Sequence, residues 1–268
     1  MSSSVAVAAT AAFGADVLER LAERHEIATV LTRPDAPAGR GRKLTPSPAK
    51  ETARRLGLRV LEPERLEAGL DLGAPVVVAV AYGLIVPENV LAERLWLNVH
   101  PSLLPRWRGA APVERALMAG DVTTGVSIIK LVKELDAGPI AAQAELSVSA
   151  DEDAGDVFAH AAEAAATLLD EILCLPDAPF VEQEGEVTYA HKITAADRLL
   201  DLGRPAIELV DHVRALSPHI GARAELHGRP VTVWRARVGE DGAFEPLEVQ
   251  PDGKSRMTYD AWLRGLRP

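Results

Sequence analysis

The chain has 268 residues, 47% of them hydrophobic and 25% charged, enough to fill one large globular domain or two ordinary ones. No apolar run approaches the roughly 18 residues of a membrane span, and the start Met1-Ser2-Ser3-Ser4-Val5 lacks a basic secretory lead, so the chain reads as cytoplasmic with no membrane partner. The formal net charge of -10 would argue against a nucleic-acid partner were the charges evenly spread, but they are strongly segregated.

Short β-rich runs at Val5–Ala9, Ile27–Leu31, Val76–Val80 and Leu95–Val99 alternate with helical patterns at Asp16–Arg24 and Ser47–Leu56. This alternation predicts an α/β domain on a mostly parallel, doubly wound sheet. Pro112 suits the first turn of a helix running to Met118, with Gly120 just past its end. Strand-like runs follow at Gly125–Val132 and Ile140–Val148, then a long Ala-rich helix over Ala154–Leu173. The single cysteine, Cys174, has no partner for an internal disulfide and reads as a small buried residue near that helix's end. With no clustered His set beside it, no metal site is expected. Pro176 and Pro179 close the helix, and Glu182–Glu186 reads as a turn or the edge of a linker. Beyond Arg204, a short helix at Ala206–Leu216 precedes alternating runs at Ala222–Leu226, Val231–Arg237 and Glu245–Val249, a small β-rich second domain. The expected division is residues 1–186, a linker at 187–203 and a second domain at 204–268.

From Arg33 to Arg59 there are eight basic residues against two acidic, a local charge of +6, whereas residues 145–186 hold twelve acidic residues and no Lys or Arg. The acidic block reads as a solvated helix face. In the basic block, glycines alternate with Arg40 and Arg42, followed by Lys43, a pattern that presents cations to phosphates and to the shape of an RNA end. The first strand-to-helix turn carries neither G-x-G-x-x-G nor G-K-[ST], which argues against a dinucleotide or ATP site.

If Leu95–His100 is a strand, Asn98 and His100 share one face, and Pro101-Ser102 ends the strand so that His100 lies at its carboxyl edge, where open α/β sheets bind ligands. Asp136, in a Gly-flanked turn after another strand, can reach the same edge. An amide, an imidazole and a carboxylate suit transfer of a one-carbon acyl group to an amine. Asn98 can donate to the oxyanion; His100 can add a second donor or supply a proton; Asp136 can orient or charge the imidazole or accept the amine proton.

Asn98-Val99-His100-Pro101-Ser102-Leu103-Leu104-Pro105, with Leu135-Asp136-Ala137-Gly138, resembles the signature of the folate-dependent formyltransferases. That resemblance implies a Rossmann-like catalytic domain, Asn98, His100 and Asp136 as the catalytic trio, and 10-formyltetrahydrofolate as formyl donor. It also implies a folate pocket formed by Tyr82, Gly83, Leu84, Ser102, Leu103, Leu104 and Pro105. The segment Arg33–Lys50 is similar to the loop with which methionyl-tRNA formyltransferases contact the tRNA acceptor end, which implies Arg40, Arg42 and Lys43 as contacts to initiator methionyl-tRNA, with the protein a monomer. Arg106-Trp107-Arg108-Gly109 flanks the active site in this family, so Trp107 is read either as a packing anchor or as a substrate contact. Similarity at Tyr189–Ile193, His212–Pro218 and Glu248–Lys254 implies an OB-like C-terminal domain, which looks shortened because Val238 passes almost directly to Glu245. The chain departs from the family at Ala8–Ala12, where a Gly-Thr-Pro turn is usual. Three rivals share parts of the pattern: a sugar-nucleotide amine formyltransferase with the same donor, a non-catalytic RNA-binding protein that has kept the fold, and a formyl-folate hydrolase.

Overall fold

Parallel strands covered on both faces need near-continuous apolar sequence, and Val5–Ala9 supplies it: all five residues are fully buried. The structure, a computed structural model, describes residues 4–38, 43–175 and 179–266. In chain order its elements are β1 (Ser4–Ala9), α1 (Ala12–Ala22), β2 (Glu26–Leu31), β3 (Ala36–Ala38), β4 (Lys43–Thr45), α2 (Pro48–Arg55), β5 (Val60–Leu61), β6 (Val76–Val80), α3 (Glu88–Leu91), β7 (Leu95–His100) and β8 (Arg108–Gly109). Then come α4 (Pro112–Met118), β9 (Thr123–Lys130), β10 (Ile140–Ser147), α5 (Ala154–Leu173), β11 (Tyr189–Ala190), α6 (Ala206–Leu216), β12 (Ala222–Leu226), β13 (Arg229–Val238), β14 (Phe244–Pro251), β15 (Met257–Thr258) and α7 (Tyr259–Arg264).

The chain packs as two units that interleave in sequence: Met1–Arg108, Gly125–Leu146 and Ala159–Thr188 form the first, and Gly109–Thr124, Ser147–Phe158 and Tyr189–Pro268 the second. The first holds a seven-stranded sheet in the order β10-β9-β7-β6-β1-β2-β5. Its five strands from β7 to β5 are parallel, and β9 joins antiparallel to β7. From β1 the chain winds outward through β2 to β5, then returns to the other side through β6 and β7. The crevice beyond the carboxyl ends of β1 and β6 is therefore the topological switch point at which such sheets take ligands.

The altered Ala8–Ala12 turn closes at this point without distortion. β1 runs to Ala9, and α1 starts from Ala11 with no side-chain cap. Gly14 brings the helix onto the sheet: a Cβ there would lie 2.5 Å from the Val80 carbonyl oxygen. Thr10 Oγ1 donates to the Tyr82 carbonyl at 2.8 Å, joining the ends of β1 and β6.

In the second unit β12-β13-β14-β15 form a four-stranded antiparallel sheet. Its core joins Leu209, Val213 and Leu216 of α6 to Val231 and Val233 of β13 and Trp262 of α7. This is the expected small β-rich module, with β15 and α7 in addition. Several of its cations are already paired, Arg214 with Asp211, Arg223 with Asp252 and Arg237 with Glu245. One expectation is corrected: Cys174 is exposed, because it lies in the turn past the last residue of α5, beyond the buried Ile172. Among the described residues, no helix is long and apolar enough to cross a membrane.

Candidate active site

The pleat of β7 delivers Asn98 and His100 to one end of the strand, with Asn98 half-buried and His100 at 4% exposure. Asp136 arrives from the turn after β9 and is also buried, at 7%. One of its oxygens, Oδ1, accepts from Asn98 Nδ2 at 3.4 Å; the other, Oδ2, lies 3.7 Å from His100 Nδ1. Asn98 and His100 thus converge on the carboxylate of Asp136, the third side chain proposed from the sequence, at distances long for direct hydrogen bonds.

The far side of the imidazole is also fixed. His100 Nε2 is 2.8 Å from the Trp107 carbonyl oxygen, which can only accept, so Nε2 carries a hydrogen and Nδ1 is the nitrogen presented to Asp136. Two residues that hold the imidazole, Asp136 (φ 49°) and Trp107 (φ 65°), sit in the left-handed region, as does Ala81 (φ 46°) at the end of β6. Such conformations cost about 1–3 kcal/mol each for non-glycine residues and gather where surrounding structure over-determines them. Trp107 stacks under Arg106, whose guanidinium carbon is 4.5 Å from the ring centre.

The loop after β7 is latched from beneath. Ser127 Oγ of β9 donates to the Ser102 carbonyl (2.6 Å) and accepts from Leu104 N (3.1 Å), and Gln143 Nε2 of β10 donates to the Leu104 carbonyl (3.0 Å). Ser102 is fully buried, with its hydroxyl donating to the Arg106 carbonyl at 2.7 Å, and Leu104 is buried, so these two shape the loop while Leu103 and Pro105 stay half-exposed. Tyr82, Gly83 and Leu84 lie just beyond β6, the strand that pairs Ala79 with Asn98. The Tyr82 hydroxyl is buried without a hydrogen-bond partner, and burial pushes its pKa up to about 12 against a partial opposing effect of Arg33. An orphaned hydroxyl, Gly83 (φ 78°) and apolar Leu84, Leu103 and Pro105 around the switch point fit a flat, partly polar heterocycle such as a folate ring. Among the described residues, no cluster of His, Cys, Asp or Glu is placed to hold a metal ion.

The basic segment divides by role. Arg40 and Arg42 lie outside the described residues; Lys43 is exposed on β4, paired in a small antiparallel hairpin with β3. Lys50, counted with them from the sequence, is instead enclosed at 4% exposure between Asp35 (2.5 Å) and Glu62 (2.6 Å). These hydrogen bonds, to Asp35 first and then Glu62, hold its pKa above the usual lysine range. Arg55 pairs with Glu19 and Arg59 with Asp71, whereas Arg33, Lys43 and Arg54 form no ion pair with a described residue.

Sequence reasoning missed Ser127, Gln143, Gln183 and Thr188. A lone Ser inside the apolar strand Gly125–Ile129 was a usable signal, since a buried hydroxyl requires a partner. Gln143, between Ala142 and Ala144 on a predicted strand, carried the same signal, whereas Gln183, between Glu182 and Glu184, and Thr188 have nothing in their local sequence to single them out.

The family model described as formyl transferase matches residues 1–173, and that of the formyl transferase C-terminal domain matches residues 192–246. The chain is 44% identical over 302 residues to the methionyl-tRNA formyltransferase of Halorhodospira halophila, covering 100% of this chain and 97% of that protein. To the methionyl-tRNA formyltransferase of Paracoccus denitrificans it is 41% identical over 281 residues, covering 95% and 94%. Among solved structures, methionyl-tRNA formyltransferase from Clostridium thermocellum has a TM-score of 0.65 at 14% identity, covering 93% of this chain and 98% of that one. HypX from Aquifex aeolicus in complex with tetrahydrofolic acid has a TM-score of 0.69 at 17% identity, covering 97% and 46%. These two likenesses concern the fold.

Proposed function

Because the chain belongs to the formyltransferase family, and within it to the methionyl-tRNA formyltransferases, we propose that Asn98, His100 and Asp136 carry its formyl transfer to methionyl-tRNA. The observation that supports this reading is the convergence of Asn98 Nδ2 and His100 Nδ1 on the two oxygens of Asp136, at the carboxyl end of β7. The folate donor, taken as 10-formyltetrahydrofolate, supplies the formyl group when bound, with Tyr82, Gly83, Leu84, Ser102, Leu103, Leu104 and Pro105 forming its pocket. The acceptor is the α-amino group of initiator methionyl-tRNA, drawn to the site by Arg40, Arg42 and Lys43.

The roles follow from the donor inventory. Asn98 Nδ2 has two hydrogens: Asp136 takes one and thereby aims the other at the formyl oxygen, on which negative charge develops as the amine nitrogen bonds to the formyl carbon. Asp136, through His100 Nδ1 or a water, receives the proton that the amine loses. That same proton passes by way of His100 Nδ1 to the departing donor nitrogen as the old carbon–nitrogen bond breaks, so protons and charge balance without a covalent enzyme intermediate. The catalytic domain is assigned to residues 1–186 and the linker to 187–203. Residues 204–268 are taken as a reduced OB-like module, in a protein working as a cytoplasmic monomer.

The test is formyl transfer from 10-formyltetrahydrofolate to methionyl-tRNA, with uncharged tRNA and an amino-sugar nucleotide as parallel acceptors, in wild type and in Asn98→Ala, His100→Ala and Asp136→Asn. Expected is product with charged tRNA alone and a loss of 100-fold or more in each variant, on the order found when an oxyanion donor is removed. Near-wild-type turnover in any two variants overturns the site; formylated sugar nucleotide or free formate overturns the acceptor.

A further inference from the structure

Residues 174–191 lie between the stretches that the two family models match, and the sequence reads Glu182–Glu186 within them as a turn or the edge of a linker. Within 179–188, however, eight residues are exposed and only Gln183 and Thr188 turn inward to half-burial. Both reach the machinery around His100.

Gln183 Nε2 donates to the Asp136 carbonyl and to the Gly138 carbonyl, each at 2.8 Å, while its Oε1 accepts from Arg108 Nε (3.0 Å) and Nη2 (2.6 Å). Both hydrogens and both lone pairs of the amide are thereby used. The orientation is unambiguous, because the reversed amide would set its NH2 against a guanidinium and its oxygen against two carbonyls. Five residues later, Thr188 Oγ1 accepts from Trp107 N at 2.9 Å and the Thr188 carbonyl accepts from Arg108 N at 2.9 Å. Val181 anchors the near end by a reciprocal backbone pair with Ile140, at 2.7 and 2.9 Å.

Asp136 faces His100 Nδ1, and the Trp107 carbonyl receives His100 Nε2. Both residues hold left-handed backbone conformations that side-chain-bearing residues keep only where their surroundings impose them. From this we infer that the segment 181–188 is a strap, in which Gln183 and Thr188 are positioning residues that set the two groups flanking the His100 imidazole. The inference rests on the catalytic reading of Asp136 and His100. Neither strap residue touches the reacting atoms; each acts through the turn it holds. Glutamine is specifically required, since a glutamate keeps the Arg108 interaction but places a carboxylate against two carbonyl oxygens.

The test is steady-state formyl transfer with Gln183→Glu, Gln183→Ala, Thr188→Val and Thr188→Ser, each alongside Asp136→Asn and with thermal midpoints recorded. Displacements of about 1 Å at a catalytic group cost on the order of 100-fold. Gln183→Glu and Gln183→Ala are expected to lower kcat by about 10- to 100-fold with KM for donor and tRNA within about threefold, and to shift the pH profile of kcat. Thr188→Ser should keep most of the activity that Thr188→Val loses. The double variant Gln183→Ala/Asp136→Asn should be no slower than Asp136→Asn alone, because both changes act on one group. If Gln183→Ala does not fold, Gln183→Glu, which retains the Arg108 interaction, carries the same expectation. Wild-type kcat and pH profile in Gln183→Glu, with Asp136→Asn crippled, overturn the strap and leave the catalytic reading intact. Wild-type kcat in Asp136→Asn overturns the catalytic reading and the strap with it.

Discussion

Gly138→Ala is the sharpest single perturbation of this site. A Cβ at Gly138 would stand 1.8 Å from the carbonyl oxygen of Lys130, where ordinary contact begins at 3.4 Å, so one partner must move by about 1.6 Å. The obstacle cannot rotate away: it is backbone at the end of β9, and Lys130 N is hydrogen-bonded to the Pro139 carbonyl at 2.9 Å. The displacement is passed to Asp136, two residues upstream, whose distances to Asn98 (3.4 Å) and His100 (3.7 Å) are already long. Overpacking of this kind costs about 1–3 kcal/mol, equivalent to a fall in Tm of roughly 2–10 °C for a chain of this size. In the role proposed for Asp136, the same shift should cost on the order of 100-fold in kcat. The assay is kcat at saturating donor and charged tRNA, measured well below Tm, so that reduced turnover does not reflect unfolding. Gly203→Ala is the control, because its nearest new neighbour is the movable Asp201 carboxylate at 3.3 Å. A Gly138→Ala protein with kcat within threefold of wild type and an unchanged Tm would refute the argument that this turn places Asp136.

Other perturbations test other parts of the structure. Tyr82 has a folded pKa of about 12 against an ordinary 10.0, so the unfolded chain ionises first. The stability this burial carries is intact below pH 10 and is lost as pH rises towards 12, by up to roughly 3 kcal/mol; Tyr82→Phe should flatten that part of the alkaline stability curve measured by denaturant titration. Lys50→Met leaves Asp35 and Glu62 facing each other without their shared cation and should lower Tm by several degrees. Because Lys50 is enclosed, the salt dependence of tRNA binding should not change in that variant; a reduced slope would return it to the RNA-binding surface. Neutralising Arg40 and Arg42 together should weaken tRNA binding and reduce the log–log salt slope by about 0.7–0.9 for each phosphate no longer neutralised, and an unaltered slope removes that segment from the RNA-binding surface.

Much of this molecule is legible in the order of its residues. The two-residue spacing of Asn98 and His100 puts them on one face of a strand, and Pro101 marks that strand's end. The alternation of apolar runs with helical stretches is enough for a parallel α/β sheet, and the resemblance around Asp136 adds the third member of the trio. The sequence could not say that Lys50 is withdrawn from the basic segment, that Cys174 is exposed, or that the second unit takes in residues 109–124 and 147–158.

The division has a physical cause. Periodicity, turn chemistry and chain breaks act over a few residues, so strands, helices and the groups at their ends are written locally. Hydrogen-bond capacity is written locally too, since every Gln has two donors and two acceptor sites, but the identity of the partner is not. Gln183 finds carbonyls 45 and 47 residues away and a guanidinium 75 residues away, and only folding brings them within 3.0 Å. The sequence by itself narrowed the candidates for the chemistry to Asn98, His100 and Asp136. The tertiary structure decided which of the remaining polar residues are bonded to the turns that carry Asp136 and Trp107.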